Sequence, residues 1–167
     1  PFYMKPAECQ KGIGGMYVTG YDEKEDRVMS KSGQSFAFDD FISRTINYAN
    51  SAYYRKEAGF LFQKIVRQHQ DIIDFSGTEV PCGFRITVLN DVVEPILHRV
   101  RWKLVAKGNT NDNFSNGKSG NIVVLVDVGT GKISDGLNDN WPYATYCQSH
   151  PETGRSFADF TIPLWDK

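Results

Sequence analysis

The run Ile122-Val123-Val124-Leu125-Val126 constrains the fold more than any other segment of this chain. Branched β-carbons leave few side-chain rotamers and favour the extended backbone, so these five residues specify a strand. With Asp127-Val128 the run shows little alternation of apolar and polar residues, which predicts a central strand buried on both faces with a layer on either side. It is far too short to cross a bilayer, which takes roughly 20 apolar residues. Residues 84–89 and 97–105, after the Pro81-Cys82-Gly83 break, are rich in β-branched and aromatic side chains and predict two more strands. Strand-like and helix-like segments alternate, so the fold class is mixed α/β or α+β.

A chain of 167 residues makes one domain or a piece of a larger protein. Its 40% hydrophobic content supports a packed core and excludes disorder as a description of the whole chain. Nineteen Lys+Arg against 20 Asp+Glu leave a net charge of −1, so no overall basic field draws in nucleic acid. Cys9, Cys82 and Cys147 lack the spacing of a zinc site or a disulfide framework, which points to a reducing cytoplasm. The first residue is Pro1 rather than Met and no basic-then-apolar leader precedes the body, so a cut piece of a longer chain is expected.

Residues 2–4 read as a short strand, and residues 16–18 and 27–29 as a hairpin across the polar turn 22–26. Asp39-Asp40 are placed to cap a helix whose apolar face holds Phe41, Ile42, Ile46 and Ala49. Phe60-Leu61-Phe62 predicts a strand leading into a second helix that includes Ile65, Val66, Ile72 and Ile73. Residues 108–120 form an Asn-, Asp- and Gly-rich loop, expected to be exposed and mobile unless something binds it. From Asn138 onward the Pro-containing tail reads as irregular.

Several constellations carry chemistry. Lys5-Pro6 precedes a loop containing Gly12, Gly14 and Gly15, where converging N–H groups and an ammonium can hold phosphate, or where a flexible connection needs no ligand. Gln63-Lys64-Ile65-Val66 can frame a flat heterocycle or form a plain core strand. Arg85 sits in an apolar strand, and burial there would demand an anionic partner. Asp112 and Asn113 fit either an acceptor site or a turn that needs nothing bound. His150, with an ordinary pKa near 6.5, fits acid–base work or a packed His-Pro turn, while His69 and His98 read as structural or exposed.

In order, Lys5-Pro6 with the glycines, Phe62-Gln63-Lys64 with Gln68-His69, and Phe84-Arg85-Ile86-Thr87 resemble the nucleotide-binding half of the ATP-grasp superfamily. Asp112-Asn113-Phe114, Ser119-Gly120-Asn121-Ile122, Val126-Asp127 with Gly131, His150 to Gly154 and Ile162-Pro163-Leu164-Trp165 resemble its sugar-transfer-associated branch, linked to polysaccharide biosynthesis. The resemblance implies an α+β fold with mostly antiparallel sheets, residues 1–66 forming one nucleotide-binding subdomain and 67–167 part of the second. It implies ATP held between two subdomains and a carboxylate phosphorylated to an acyl phosphate, which an amine or other nucleophile then attacks.

By that resemblance Lys5 contacts the α- and β-phosphates, Gly12, Gly14 and Gly15 close over them, Gln63, Lys64, Ile65 and Val66 frame the adenine, and Arg85 steadies the transferring phosphoryl group. Asp112, Asn113 and His150 are the substrate-binding candidates. Lys64 stands where many relatives place an acidic ribose ligand. Mg²⁺ is implied as well, but Asp127 is the nearest acidic candidate, Gly129 stands where an asparagine is needed, and the Glu-x-Asn pair is expected beyond Lys167. Small-molecule carboxylate, amine or sugar-linked substrates follow, with a homodimer expected from sheet edges exposed by truncation. The alternative is a non-catalytic module that binds a saccharide or a protein through Trp141, Tyr143, Tyr146 and Trp165.

Overall fold

The computed structural model describes residues 1–7, 14–49, 59–90, 93–139 and 142–166; Cys9, Gly12 and Trp141 lie outside them. The chain divides into two compact units, Pro1–Val66 and Arg67–Lys167. Each has its own antiparallel five-stranded sheet and one helix, so the fold is α+β.

The first unit contains β1 (Phe2–Pro6), β2 (Met16–Asp22), β3 (Arg27–Ser30), β4 (Ser35–Ala37), α1 (Phe38–Ala49) and β5 (Phe60–Lys64), with strand order β4-β3-β2-β1-β5. The β2–β3 hairpin forms because the Asp22 carboxylate accepts the N–H groups of Lys24 and Glu25 at 3.0 and 3.3 Å. One sheet face buries Met4, Val18 and Val28 beneath Phe41 of α1. Asp39 and Asp40 lie inside the first turn rather than at the cap, where their charge still favours the positive end of the helix dipole. The expected apolar face of α1 is only partly correct. Phe41 is buried and Thr45, one turn on, half-buried, whereas Ile42 and Ile46 are exposed because they sit about 100° further round the helix.

The second unit contains α2 (Gln70–Ser76), β6 (Phe84–Asn90), β7 (Pro95–Leu104), β8 (Ile122–Val126), β9 (Ile133–Asp139) and β10 (Thr145–Cys147) in the order β10-β9-β8-β7-β6. Helix α2 starts later than expected, leaving Ile65 and Val66 outside it. His69 Nδ1 accepts the Asp71 N–H at 3.3 Å at its N-terminus, and Gly77, at φ +70°, closes its C-terminus. Strand β8 is central, as its apolar run predicts, but burial on both faces is corrected. Ile122, Val124 and Val126 are buried while Leu125 is half exposed, because its face of the sheet has no covering layer among the described residues.

On the covered face, Phe75 of α2 stacks at 4.1 Å on Phe160 and at 5.9 Å on Trp102, with Phe157 at 6.0 Å. The tail is more regular than expected. It contributes the end of β9 and edge strand β10, and the isolated bridges Lys132↔Thr161 and Ser149↔Ser156 tie the remainder to the body. Short β4 and β10 were not legible because three residues show no period.

Replacing Phe75 with Ala removes the ring on which four others rest. The substitution is expected to cost about 3–5 kcal/mol, read as a lowered midpoint in urea denaturation.

Candidate functional site

Alternation along the strands sorts the candidate residues onto faces. In the first unit, Phe2, Met4 and Pro6 point toward α1, so Tyr3 and Lys5 occupy the opposite face. Antiparallel pairing sets Leu61 across from Lys5 and Gln63 across from Tyr3, which brings Lys5 and Gln63 to one face as diagonal neighbours. Lys64 pairs with Phe2 and therefore belongs to the other face. Ile65 is half-buried and Val66 exposed beyond the strand end. Gly14 and Gly15 immediately precede Met16, whose partner Met4 adjoins Lys5, and Gly14 has φ +76°, a conformation glycine adopts without strain. On the α1 side, Met4, Gly14, Gly15, Phe41, Arg44 and Phe60 help line a cavity of about 220 Å³.

In the second unit, Val100, Trp102 and Leu104 are buried, so Arg99, Arg101 and Lys103 face outward. The β6–β7 register sets Arg85 directly opposite Arg101 and Thr87 opposite Arg99. Strand β8 adds Leu125 beside Arg101 and Val123 beside Lys103. Arg85 is exposed, not buried as its apolar neighbours suggested, because β6 is an edge strand of which every residue is exposed. The argument from a buried cation therefore falls. A different one replaces it: like charges directly across a sheet are destabilising by roughly 0.2–1 kcal/mol, and an anion laid over both guanidiniums reverses the sign.

The same face receives Asp112. Its Oδ2 lies 2.7 Å from Lys103 Nζ in a largely buried ion pair, and it closes on Gly83, where a side chain would collide with it. The structure thus gathers Arg85, Arg101, Lys103 and Asp112 on one surface. Sequence reasoning missed Arg99, Arg101 and Lys103, although the alternation Arg-x-Arg-x-Lys between Val100, Trp102 and Leu104 is the signal that identifies them.

The Asn-rich loop is tied together by its own side chains. Buried Asn121 accepts the Ala106 N–H at 2.8 Å and the Asn109 amide at 2.7 Å, and donates to the carbonyls of Asn111 and Asn113 at 2.9 and 2.8 Å. Ser119 Oγ donates to the carbonyls of Asn113 and Phe114 at 2.7 and 2.9 Å. The backbone of Asn113 is committed to this network, which presents Asp112 at a fixed place.

His150 belongs elsewhere. It is buried on the core side of the sheet, edge-on to Phe75 at 6.0 Å, and its Nδ1 accepts the Glu152 N–H at 3.3 Å. Burial lowers its pKa, and the Glu152 charge offsets only part of that. Asp127 closes the β8–β9 turn: Oδ1 accepts the Thr130 hydroxyl at 2.6 Å and the Thr130 N–H at 2.7 Å, bonds that hold its carboxyl below the ordinary range. Among the described residues no group of three or more His, Cys, Asp or Glu is placed to hold a metal, and Asp127 alone falls short of the oxygen shell that Mg²⁺ takes. Tyr143 and Tyr146 are exposed, whereas Trp165 packs on Gly131 and donates to the Val128 carbonyl at 2.9 Å. No described helix is long and apolar enough to cross a membrane.

The family model described as sugar-transfer associated ATP-grasp matches residues 1–167. The chain belongs to that family. No curated protein and no solved structure matches it significantly. Within the sugar-transfer associated ATP-grasp family, the faces carrying Lys5 with Gln63 and Arg85 with Arg101 are this chain's candidate binding surfaces.

Two predictions follow from the geometry. Asn121→Ala removes the side-chain partners of the Asn111 carbonyl and the Ala106 N–H and one of the donors to the Asn113 carbonyl, and is expected to cost about 1–3 kcal/mol and to abolish amide exchange protection across residues 109–121. Because the folded-state pKa of His150 lies below its unfolded value, the unfolded chain binds the extra proton first. Stability is therefore expected to fall as pH drops below about 6.5, and His150→Gln should flatten that slope in pH-dependent denaturation.

Proposed function

We propose that this chain is the ATP-binding core of a cytoplasmic carboxylate–amine ligase that serves polysaccharide biosynthesis, activating its acid as an acyl phosphate. The cross-strand pair Arg85–Arg101 carries this reading: two arginines stand directly opposite each other on an exposed face, with no carboxylate against them among the described residues. An anion is the partner such a pair requires, and charge developing on a transferring phosphoryl group rewards fixed cations most.

In the first unit, Lys5 is the point charge for the α- and β-phosphates, and Gly14 and Gly15 let the backbone approach them closely. Gly12 is assigned to the same loop by the family resemblance. Gln63 shares the Lys5 face and, with Ile65 and Val66, frames the adenine; Lys64 is directed to the other face and is the weakest member of that set. In the second unit, Arg85 steadies the phosphoryl group while Asp112, fixed by Lys103 and the Asn121 network, offers an oxygen acceptor to the incoming substrate. Asn113 acts beside it, and His150 supports the fold from the core side. Mg²⁺ supplies charge neutralisation on the phosphates throughout ATP-grasp chemistry, and the residues described here do not make a complete site for it.

Isothermal titration with ATP in the presence of Mg²⁺ tests the proposal. Lys5→Ala and Arg85→Ala are each expected to weaken binding about tenfold to a hundredfold. Unchanged affinity in both variants overturns it.

A further inference from the structure

The alternation that sets Arg101 opposite Arg85 also brings Arg99 to the same face, two residues or about 7 Å further along β7, opposite Thr87. None of the three guanidiniums meets a carboxylate among the described residues. Three other arginines do rest on their own surroundings: Arg27 donates to Ser35, Arg67 donates to Gln70, and Arg44 lies 4.9 Å over the Phe36 ring. The neighbouring cation Lys103 is neutralised by Asp112. On this face of the sheet, then, positions 85, 99 and 101 carry positive charge that no carboxylate of the described residues matches.

We infer that this face takes an acid bearing two anionic groups, so that the substrate class is a dicarboxylate or an acid with an equivalent second anion. The inference rests on the proposed nucleotide chemistry for the division of labour. Arg85 is assigned to the phosphoryl group, and the carboxylate it is to meet must lie within about 3–3.5 Å of that group. Arg101, directly opposite Arg85, is the guanidinium in reach of that carboxylate. One planar guanidinium accommodates one carboxylate through two parallel N–H···O bonds, which leaves Arg99 for a different group. The Thr87 hydroxyl across from Arg99 adds a donor for that second anion, and exposed Leu125 beside Arg101 gives an aliphatic spacer an apolar contact. A monocarboxylate leaves Arg99 unmatched.

The test uses glutarate and butyrate as probes, titrated calorimetrically into the protein without nucleotide at constant ionic strength. Glutarate is expected to bind about tenfold more tightly than butyrate, the value of one further charge-assisted contact, and Arg99→Gln is expected to bring the ratio close to one. Arg99 is exposed, and an unchanged melting curve verifies that the variant folds. Equal binding of the two acids, a ratio that survives Arg99→Gln, or heat from neither acid overturns the inference. A parallel ATP titration separates the two readings. Absence of ATP binding with the ratio intact sinks the nucleotide reading and leaves the two-anion site standing; ATP binding with a ratio of one does the reverse. Weakened ATP binding in Arg99→Gln without any change in the acid ratio assigns Arg99 to the nucleotide and also overturns the inference.

Discussion

Strand β7 has to satisfy two environments at once, and its period of two is what lets it do so. Val100, Trp102 and Leu104 enter the core, so Arg99, Arg101 and Lys103 are forced to the opposite surface. A slip of one residue would drive three cations into the aromatic cluster around Phe75 and expose Trp102, so the register is fixed by the cost of burying charge. Stacking of Phe84 on Trp102 at 5.8 Å locks β6 to the same register from the inside. The pairing of Arg85 with Arg101 is thus a consequence of hydrophobic packing on the other side of the sheet. Core and candidate site are two faces of one constraint.

Polar satisfaction does for the loop what packing does for the strands. Thirteen residues rich in Asn, Asp and Gly would ordinarily sample many conformations, at a backbone entropy of about 1–2 kcal/mol for each residue held. Asn121 removes much of that freedom because both ends of its amide are buried and bonded across the loop. Its neighbour Ile122 is the first buried residue of β8, so the loop is anchored to the core at the next peptide. Asp112 inherits its position from this arrangement.

Much of this was legible in the residues themselves. The apolar run 122–126, the alternating 97–105 segment and the hairpin around residues 22–26 each specified their strands, because period and turn chemistry act locally. Lys5 and Arg85 stood out as cations inside strands. Three features escaped for physical reasons. Whether the second face of β8 is covered depends on layers that no strand sequence encodes. The start of α2 depended on the His69 cap, whose Nδ1 accepts the Asp71 N–H, and the helical spacing of Ile65 and Val66 does not locate that cap. The alternation around Trp102 could have placed Arg101 on the outer face, but its pairing with Arg85 could not be read, because cross-strand neighbours 16 residues apart leave no mark on local pattern.

The overall charge balance illustrates the same limit from the opposite direction. A net charge of −1 argues against long-range attraction of a polyanion, an argument that concerns distances beyond the Debye length of about 8–10 Å. Within that length only the local arrangement counts. The turn acids Asp22 and Asp26 and the helix acids Asp39 and Asp40 belong to the first unit's hairpin and α1, where Asp22 accepts backbone N–H groups, Asp26 accepts the Tyr21 hydroxyl, and the helix acids favour the dipole. Asp127, in the second unit, is held in its own turn by Thr130. With Asp112 matched to Lys103, the three arginines on the outer face of β6 and β7 form no ion pair with a carboxylate among the described residues. A chain close to electroneutral can therefore still set three arginines side by side on one short stretch of sheet.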